Sequence, residues 1–247
     1  MPKGPQTRLP AGSQPRVRRG YFEYRFGQLH VHNTMPPGGG FEEGTPLVCL
    51  HDFSGSGRVF TQLLTALGQE RSVYAPDLPG FGESDPPPSP RPAIADYAGA
   101  LGDFLDSMRL RQVALLGLRM GALPAIELAL TRASQVNRLI LVSLPLFTEA
   151  ERSATRGTPP TAEPFRPPEW QRWATEAAAL YPLRERLGRL SQRLLVLRPQ
   201  DELWEPTGRV RDVLPAARLI DLEQPAAELL VSAPPRALEA MREFLRG

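Results

Sequence analysis

Short apolar runs separated by amphipathic stretches set the rhythm of this chain. Leu47–Leu50 is apolar and bounded by turn residues, as a parallel strand buried on both faces should read. Residues 72–75, 113–116, 139–142, 194–197 and 218–222 read as further strands. Between them, Phe60, Leu63, Leu64 and Leu67 share one helical face, and Ile94, Tyr97, Leu101, Phe104, Leu105 and Met108 mark a long amphipathic helix. Further helices are predicted from near Gly121, over 207–213 and over 237–245. Strands that alternate with helices imply right-handed crossovers and a mostly parallel sheet covered on both faces, an α/β architecture. Ahead of this pattern, residues 21–25 and 29–32 flank Gly27-Gln28 and predict a hairpin. His30 and His32 alternate with Leu29 and Val31, so they share one face of it. No further ligand is near in sequence, so they read as surface or edge histidines rather than a metal site.

Two segments depart from the rhythm. Residues 147–190 open with Pro, Gly and Thr and then carry Trp170, Trp173 and Tyr181, which predicts a small helical lid inserted into a core made of residues 21–146 and 191–247. The lid aromatics either line a ligand pocket or fix the lid to the core. Residues 1–20 hold five basic side chains and no acid, are rich in Gly, Pro and Gln, and read as a disordered basic tail. Asp85-Pro-Pro-Pro-Ser-Pro-Arg-Pro92 reads as a stiff surface loop.

Composition narrows the functional classes. The chain has 247 residues, 41% of them hydrophobic, enough for one medium-sized domain with a real core. Of its 29 basic residues 28 are arginine, a bias that reads as bacterial-like base composition rather than selection for guanidinium chemistry. Beyond the tail acids outnumber bases, 27 to 24, which argues against a nucleic-acid-binding domain. There is no long apolar run and no secretory leader pattern, and a lone Cys49 offers neither a disulfide framework nor a metal motif, so a cytoplasmic protein is expected.

Three motifs follow the carboxyl ends of predicted strands, where open parallel sheets place their sites. They are Leu50-His51-Asp52-Phe53-Ser54-Gly55-Ser56-Gly57, then Asp77-Leu78-Pro79-Gly80-Phe81-Gly82-Glu83-Ser84, then Leu116-Gly117-Leu118-Arg119-Met120-Gly121-Ala122. Together, and in this order, they resemble the α/β-hydrolase fold superfamily, in the small-lidded branch with epoxide hydrolases, haloperoxidases and carbon–carbon bond hydrolases. The resemblance covers residues 21–247, and the DxPGxGxS stretch is its most specific piece.

The resemblance implies a Gly-x-Ser-x-Gly elbow holding a nucleophile above the sheet. Here Arg119 stands at the nucleophile position, and a permanently protonated guanidinium cannot attack a carbonyl. It also implies a late catalytic histidine, whose position falls on Ala227 beside Glu228, while the chain's histidines are His30, His32 and His51. The acid position falls on Glu202 with Asp201 adjacent. An oxyanion hole would come from the backbone N–H groups of Phe53 and Met120, with His51 and Asp52 in place of the family's His-Gly pair. Asp52 puts a carboxylate where that pair has glycine.

The reading is a pseudoenzyme: a non-hydrolytic, ligand-binding or regulatory member of the fold with a degenerate catalytic triad. The alternative is an enzyme with an unconventional site, a hydrolase, lyase or isomerase using Glu202 or Asp201 with Arg119 on a small apolar or anionic substrate. Arg119 should pair with Glu202, Asp201, Glu228 or Asp52, or hold an anionic ligand under the lid. The pocket residues are His51, Asp52, Glu228, Trp170 and Trp173. The partner is a small molecule, with a protein partner or a second copy left open; no cofactor or metal is called for.

Overall fold

The computed structural model describes residues 15–37, 44–88, 91–155 and 168–246. Their eight strands form one sheet: β1 (Arg18–Tyr24), β2 (Gly27–Thr34), β3 (Leu47–Leu50), β4 (Val73–Pro76), β5 (Val113–Leu118), β6 (Val136–Val142), β7 (Arg193–Pro199) and β8 (Arg218–Leu222), in spatial order β1-β2-β4-β3-β5-β6-β7-β8. From β4 to β8 every pairing is parallel, and β2 joins β4 antiparallel. The expected α/β class and mostly parallel sheet are what this chain forms.

Alternation within the strands explains their uninterrupted apolar character. In β5, Val113 and Leu115 enter one core with α2 (Ile94–Ser107) and α3 (Ala122–Thr131). Ala114, Leu116 and Leu118 enter the opposite core with α1 (Thr61–Leu67) and α10 (Pro235–Arg246). Such a strand has no polar face to show. Cys49 is buried as a small core residue.

Three short or medium helices cover the carboxyl edge of the sheet: α4 (Glu149–Thr155), α5 (Glu169–Leu180) and α6 (Leu183–Gly188). Arg209 grips Glu151 with two bonds of 2.6 and 2.8 Å, tying α4 to the segment where α7 (Trp204–Gly208) gives way to α8 (Val210–Val213). The helix expected over 207–213 is therefore two short ones. A further helix, α9 (Ala226–Ser232), precedes α10. No helix among the described residues is long and apolar enough to cross a membrane.

Two expectations are corrected here. The tail boundary at residue 20 moves, because β1 begins at Arg18 and pairs Arg18, Arg19 and Gly20 with Asn33, His32 and Val31. An edge strand is held by its backbone ladder, so these residues carry no apolar signal. Residues 1–14, the lid residues 156–167 and residues 89–90 of the proline-rich loop lie outside the described residues. The second correction concerns His30 and His32, which are 1% and 8% exposed rather than surface residues. Strand β2 lies between β1 and β4, inside the sheet, and Asp77 arrives from the end of β4 to meet His30 Nδ1 at 2.9 Å.

Candidate functional site

The parallel register brings the loops after β3, β5, β6 and β7 to one edge. Leu50 is level with Gly117, Leu118 with Val142, and Val142 with Leu197, so each chain leaves its strand beside the next. This juxtaposition assembles Asp52, Arg119, Ser143 and Asp201.

Arg119 opens the strand-to-helix turn, a single 3-10 turn over Arg119–Gly121 that leads into α3. Its φ is 52°, in the left-handed region that costs a non-glycine residue about 1–3 kcal/mol. The neighbouring glycines permit the turn: a Cβ at Gly121 would collide with the carbonyl oxygens of Leu50 and His51, and one at Gly117 with the backbone of Ala122.

The Arg119 side chain meets three carboxylates. Its Nε lies 3.2 Å from Asp52 Oδ2, one terminal nitrogen lies 3.6 Å from Asp201 Oδ2, and the other donates to Glu202. Burial alone pulls the guanidinium pKa down, but the bond to Glu202 and the charges of Asp52, Glu202 and Asp201 outweigh it, so the pKa rises. The bond to Arg119 holds the Glu202 carboxyl below its usual range. Asp201 is fixed more firmly than Glu202: it accepts from Ser143 Oγ at 2.6 Å and from the Leu203 N–H at 2.9 Å.

Asp52 does more than pair with Arg119. Its Oδ1 accepts the Phe53 N–H at 2.9 Å and the Met120 N–H at 3.2 Å. These are the two backbone donors that the family resemblance implies for an oxyanion hole, and a carboxylate of the protein's own sits between them. His51 is fully buried; its Nε2 accepts the Leu78 N–H at 2.8 Å, so Nδ1 carries the hydrogen and donates to the Asp52 carbonyl at 2.7 Å. Burial pushes its pKa down, the backbone bond only partly offsetting this, and the ring stays neutral. It fastens the loop after β3 to the loop after β4 and has no free nitrogen for chemistry.

Four expected site residues stand elsewhere. Glu228 is exposed on α9 and is not among the ion-pair partners of Arg119, and Ala227 beside it is exposed too. The segment after β8 forms a helix there rather than a loop reaching over the elbow, with the Gln200 N–H holding the Gln224 carbonyl at 3.2 Å. Trp170 lies over Gly80, and Trp173 lines a cavity with Ile94, Glu127 and Ala177. Neither reaches the elbow, because α5 turns its opposite face to it: Thr175, Ala178 and Ala179 stand roughly half a turn from Trp173 at 100° per residue and line a separate cavity of about 250 Å³. That cavity is bounded by Met120, Leu123, Leu146, Phe147, Tyr181 and Leu183, with Arg152 and Arg184 also in its wall. Sequence reading missed Ser143. Its one signal is a hydroxyl directly after a predicted strand, at the edge where sites gather; its φ of 51° is invisible without coordinates.

Comparison with known proteins follows this geometry. The model of the alpha/beta hydrolase family matches residues 47–246. The chain is 35% identical over 122 residues to a pimeloyl-[acyl-carrier protein] methyl ester esterase of Shewanella woodyi, covering 48% of this chain and 43% of that protein. It is 33% identical over 118 residues to a 1-acylglycerol-3-phosphate O-acyltransferase of Rattus norvegicus, covering 47% and 34%. The matched stretch thus spans less than half of these relatives' own length. Among solved structures, a hydrolase from Pseudomonas aeruginosa superposes with a TM-score of 0.74 at 20% identity, covering 96% of this chain and 100% of that one. The enol-lactonase from Burkholderia xenovorans gives 0.74 at 18%, covering 92% and 100%. At such identities the likeness speaks for the fold alone.

Proposed function

The chain belongs to the alpha/beta hydrolase family, and from that premise we propose that it is a non-hydrolytic member that binds a small molecule instead of cleaving an ester. The observation that carries this reading is the Asp52 carboxylate, which accepts from both Phe53 and Met120 N–H groups while pairing with Arg119. Acyl transfer needs those donors free to stabilise a developing oxyanion. A resident carboxylate competes with it and adds like-charge repulsion. The elbow residue supports the same conclusion, since a guanidinium with three carboxylate partners offers no electron pair. The three histidines are buried at positions 30, 32 and 51, and His51 has both ring nitrogens engaged. The unconventional-enzyme reading is weaker, because a Glu202 carboxyl held low by Arg119 is a poor general base.

The ligand sits in the cavity beside Met120, whose walls are mainly apolar with Arg184 among them. An apolar body with an acidic head suits that lining, and at about 250 Å³ the occupant is small. The names of the two relatives both concern acyl groups, which agrees in kind with this chemistry. The test uses the purified full chain with a fluorophosphonate probe, a panel of nitrophenyl esters and calorimetric titration with octanoate. The expected outcome is no labelling, no turnover above background, and saturable octanoate binding that Ala178→Trp abolishes by filling the cavity. Labelling of the parent chain overturns the proposal.

A further inference from the structure

A second cluster of chemistry-bearing residues lies on the far flank of the sheet, apart from the elbow. His30 and His32 project from the face of β2 opposite Leu29 and Val31, and Asp77 follows β4 directly. One ligand-type atom from each of the three lies within 4.8 Å of the others, and all three residues are buried. Hydrogen bonding accounts for two of them: His30 Nδ1 meets Asp77 Oδ2 at 2.9 Å. It does not account for the third. His32 Nδ1 is buried without a hydrogen-bond partner, a costly state for an imidazole nitrogen. We propose that His30, His32 and Asp77 form a binding site for one divalent transition-metal ion, with zinc the occupant that two imidazoles and a carboxylate suit best.

The surrounding bonds hold the ligands as a metal site requires. Asp77 Oδ1 accepts the Gly57 N–H at 2.6 Å and Oδ2 the Glu83 N–H at 2.9 Å, so the carboxylate cannot rotate. Ser84 Oγ takes the His30 N–H at 2.9 Å and donates to the Asp77 carbonyl at 2.8 Å, and the Asp77 N–H returns to the His30 carbonyl at 2.9 Å. The backbone of His32 is fixed by pairing with Arg19 on one side and Ala75 on the other. Zinc bonds of about 2.0–2.2 Å put tetrahedral ligand atoms roughly 3.4 Å apart. The His30–Asp77 pair is already near that separation, and a side-chain swing of about 1–2 Å by His32, which no hydrogen bond on Nδ1 opposes, closes the set. Ligation through His30 Nδ1 uses the tautomer with its hydrogen on Nε2. Three protein ligands leave a fourth position for water. The bound ion would pin the β1–β2 hairpin to the loop that opens at Asp77, a structural role that goes beyond the ligand-binding reading above and does not depend on it.

The test takes the untagged full chain, strips it with a chelator, and titrates Zn²⁺ by calorimetry and Co²⁺ by visible absorption. The expected result is one equivalent of either ion, visible Co²⁺ bands from a low-coordinate nitrogen–oxygen site, and a rise in melting temperature with Zn²⁺. His32→Ala leaves the Asp77–His30 bond in place and so tests the site without dismantling the loop. It should weaken Zn²⁺ binding more than 100-fold, erase the Co²⁺ bands and remove the thermal shift. His30→Gln should do the same. Zn²⁺ binding by the parent that is absent, or as tight in His32→Ala as in the parent, overturns the proposal.

Discussion

The Asp52 carboxylate and the Arg119 guanidinium form one unit: Oδ2 lies 3.2 Å from Nε, while Oδ1 accepts the N–H of Met120, the residue that follows Arg119, at 3.2 Å. The strained elbow is thus held by its own side chain and its own next amide through a single acid. Asp201 and Glu202 complete the neutralisation from β7's loop. Three carboxylates of the protein's own thus fill the space around the elbow side chain.

That filling, together with the place of residue 227 on α9, keeps simple substitutions from building a hydrolytic site. Arg119→Ser alone should stay inert to fluorophosphonate, because no histidine reaches the new hydroxyl. Arg119→Ser with Ala227→His should stay inert too, with Asp52 still between the Phe53 and Met120 amides. Adding Asp52→Gly frees those donors, but the triple variant should also stay unlabelled, because a histidine at 227 stands exposed on α9 and does not reach residue 119. Labelling of the single variant would reveal a base unlike any identified here.

Removing the guanidinium should be costly and pH-dependent. Arg119→Ala leaves three carboxylates facing one another, of which Asp201 keeps only 8% side-chain exposure. Breaking a fully buried pair costs about 3–5 kcal/mol; with Arg119 at 27% and Asp52 at 24% exposure, about 2 kcal/mol is expected in denaturant unfolding at pH 7. In the parent, Glu202's depressed pKa gives stability that is present above its unfolded value and lost as pH falls through the folded one. In the variant this contribution is absent, because the guanidinium that holds Glu202 low is gone. The difference between parent and variant therefore narrows as pH falls below about 4.5. Arg119→Gly, which also relaxes the φ of 52°, should recover about 1 kcal/mol over Arg119→Ala.

A buried hydrogen bond from Tyr181 Oη to Glu127 Oε2 at 3.0 Å joins the covering helices to the core. Burial first, then the Glu127 charge, drives the Tyr181 hydroxyl far above its usual pKa, so it remains a donor throughout the working pH range. Tyr181→Phe strands Glu127, which is 5% exposed. A loss of about 1–2 kcal/mol is expected, read as a melting temperature lower by about 2–8 °C for a chain of this size. An unchanged melting temperature would mean that Arg186, 3.8 Å from the same oxygen, suffices.

Truncation separates the tail from the strand. A chain starting at Tyr21 loses the pairing of Arg18, Arg19 and Gly20 with β2, and should melt about 2–4 °C below a chain starting at Pro15. Equal melting temperatures would show that the first turn of the ladder contributes nothing.

What was legible in the sequence and what was not divide along physical lines. Runs such as Leu47–Leu50 and the face of Ile94, Tyr97, Leu101 and Phe104 announce their elements, because burial on two faces or one stripe dictates composition directly. Strand β1 escaped at its start, since backbone pairing asks little of an edge residue such as Arg18. The face of α5 that lines the inner cavity carries no conspicuous residue: alanines and a threonine line it, while the tryptophans pack at Gly80 and against α2's start.

The sequence by itself determined the α/β order of elements, the arginine at the strand-to-helix turn, and the confinement of its three histidines to positions 30, 32 and 51. Those are properties of residue type and spacing along one chain. Only the tertiary structure decided that Asp52 turns back into the space between Phe53 and Met120, that Asp201 and Glu202 both reach Arg119 while Glu228 does not, and that Asp77 closes on His30 and His32. Each of these joins side chains from strands distant in sequence but neighbours in the sheet, and a displacement of a few ångströms separates a bonded carboxylate from a solvated one. Periodicity sets which face a residue occupies; strand order and loop course set what it meets there.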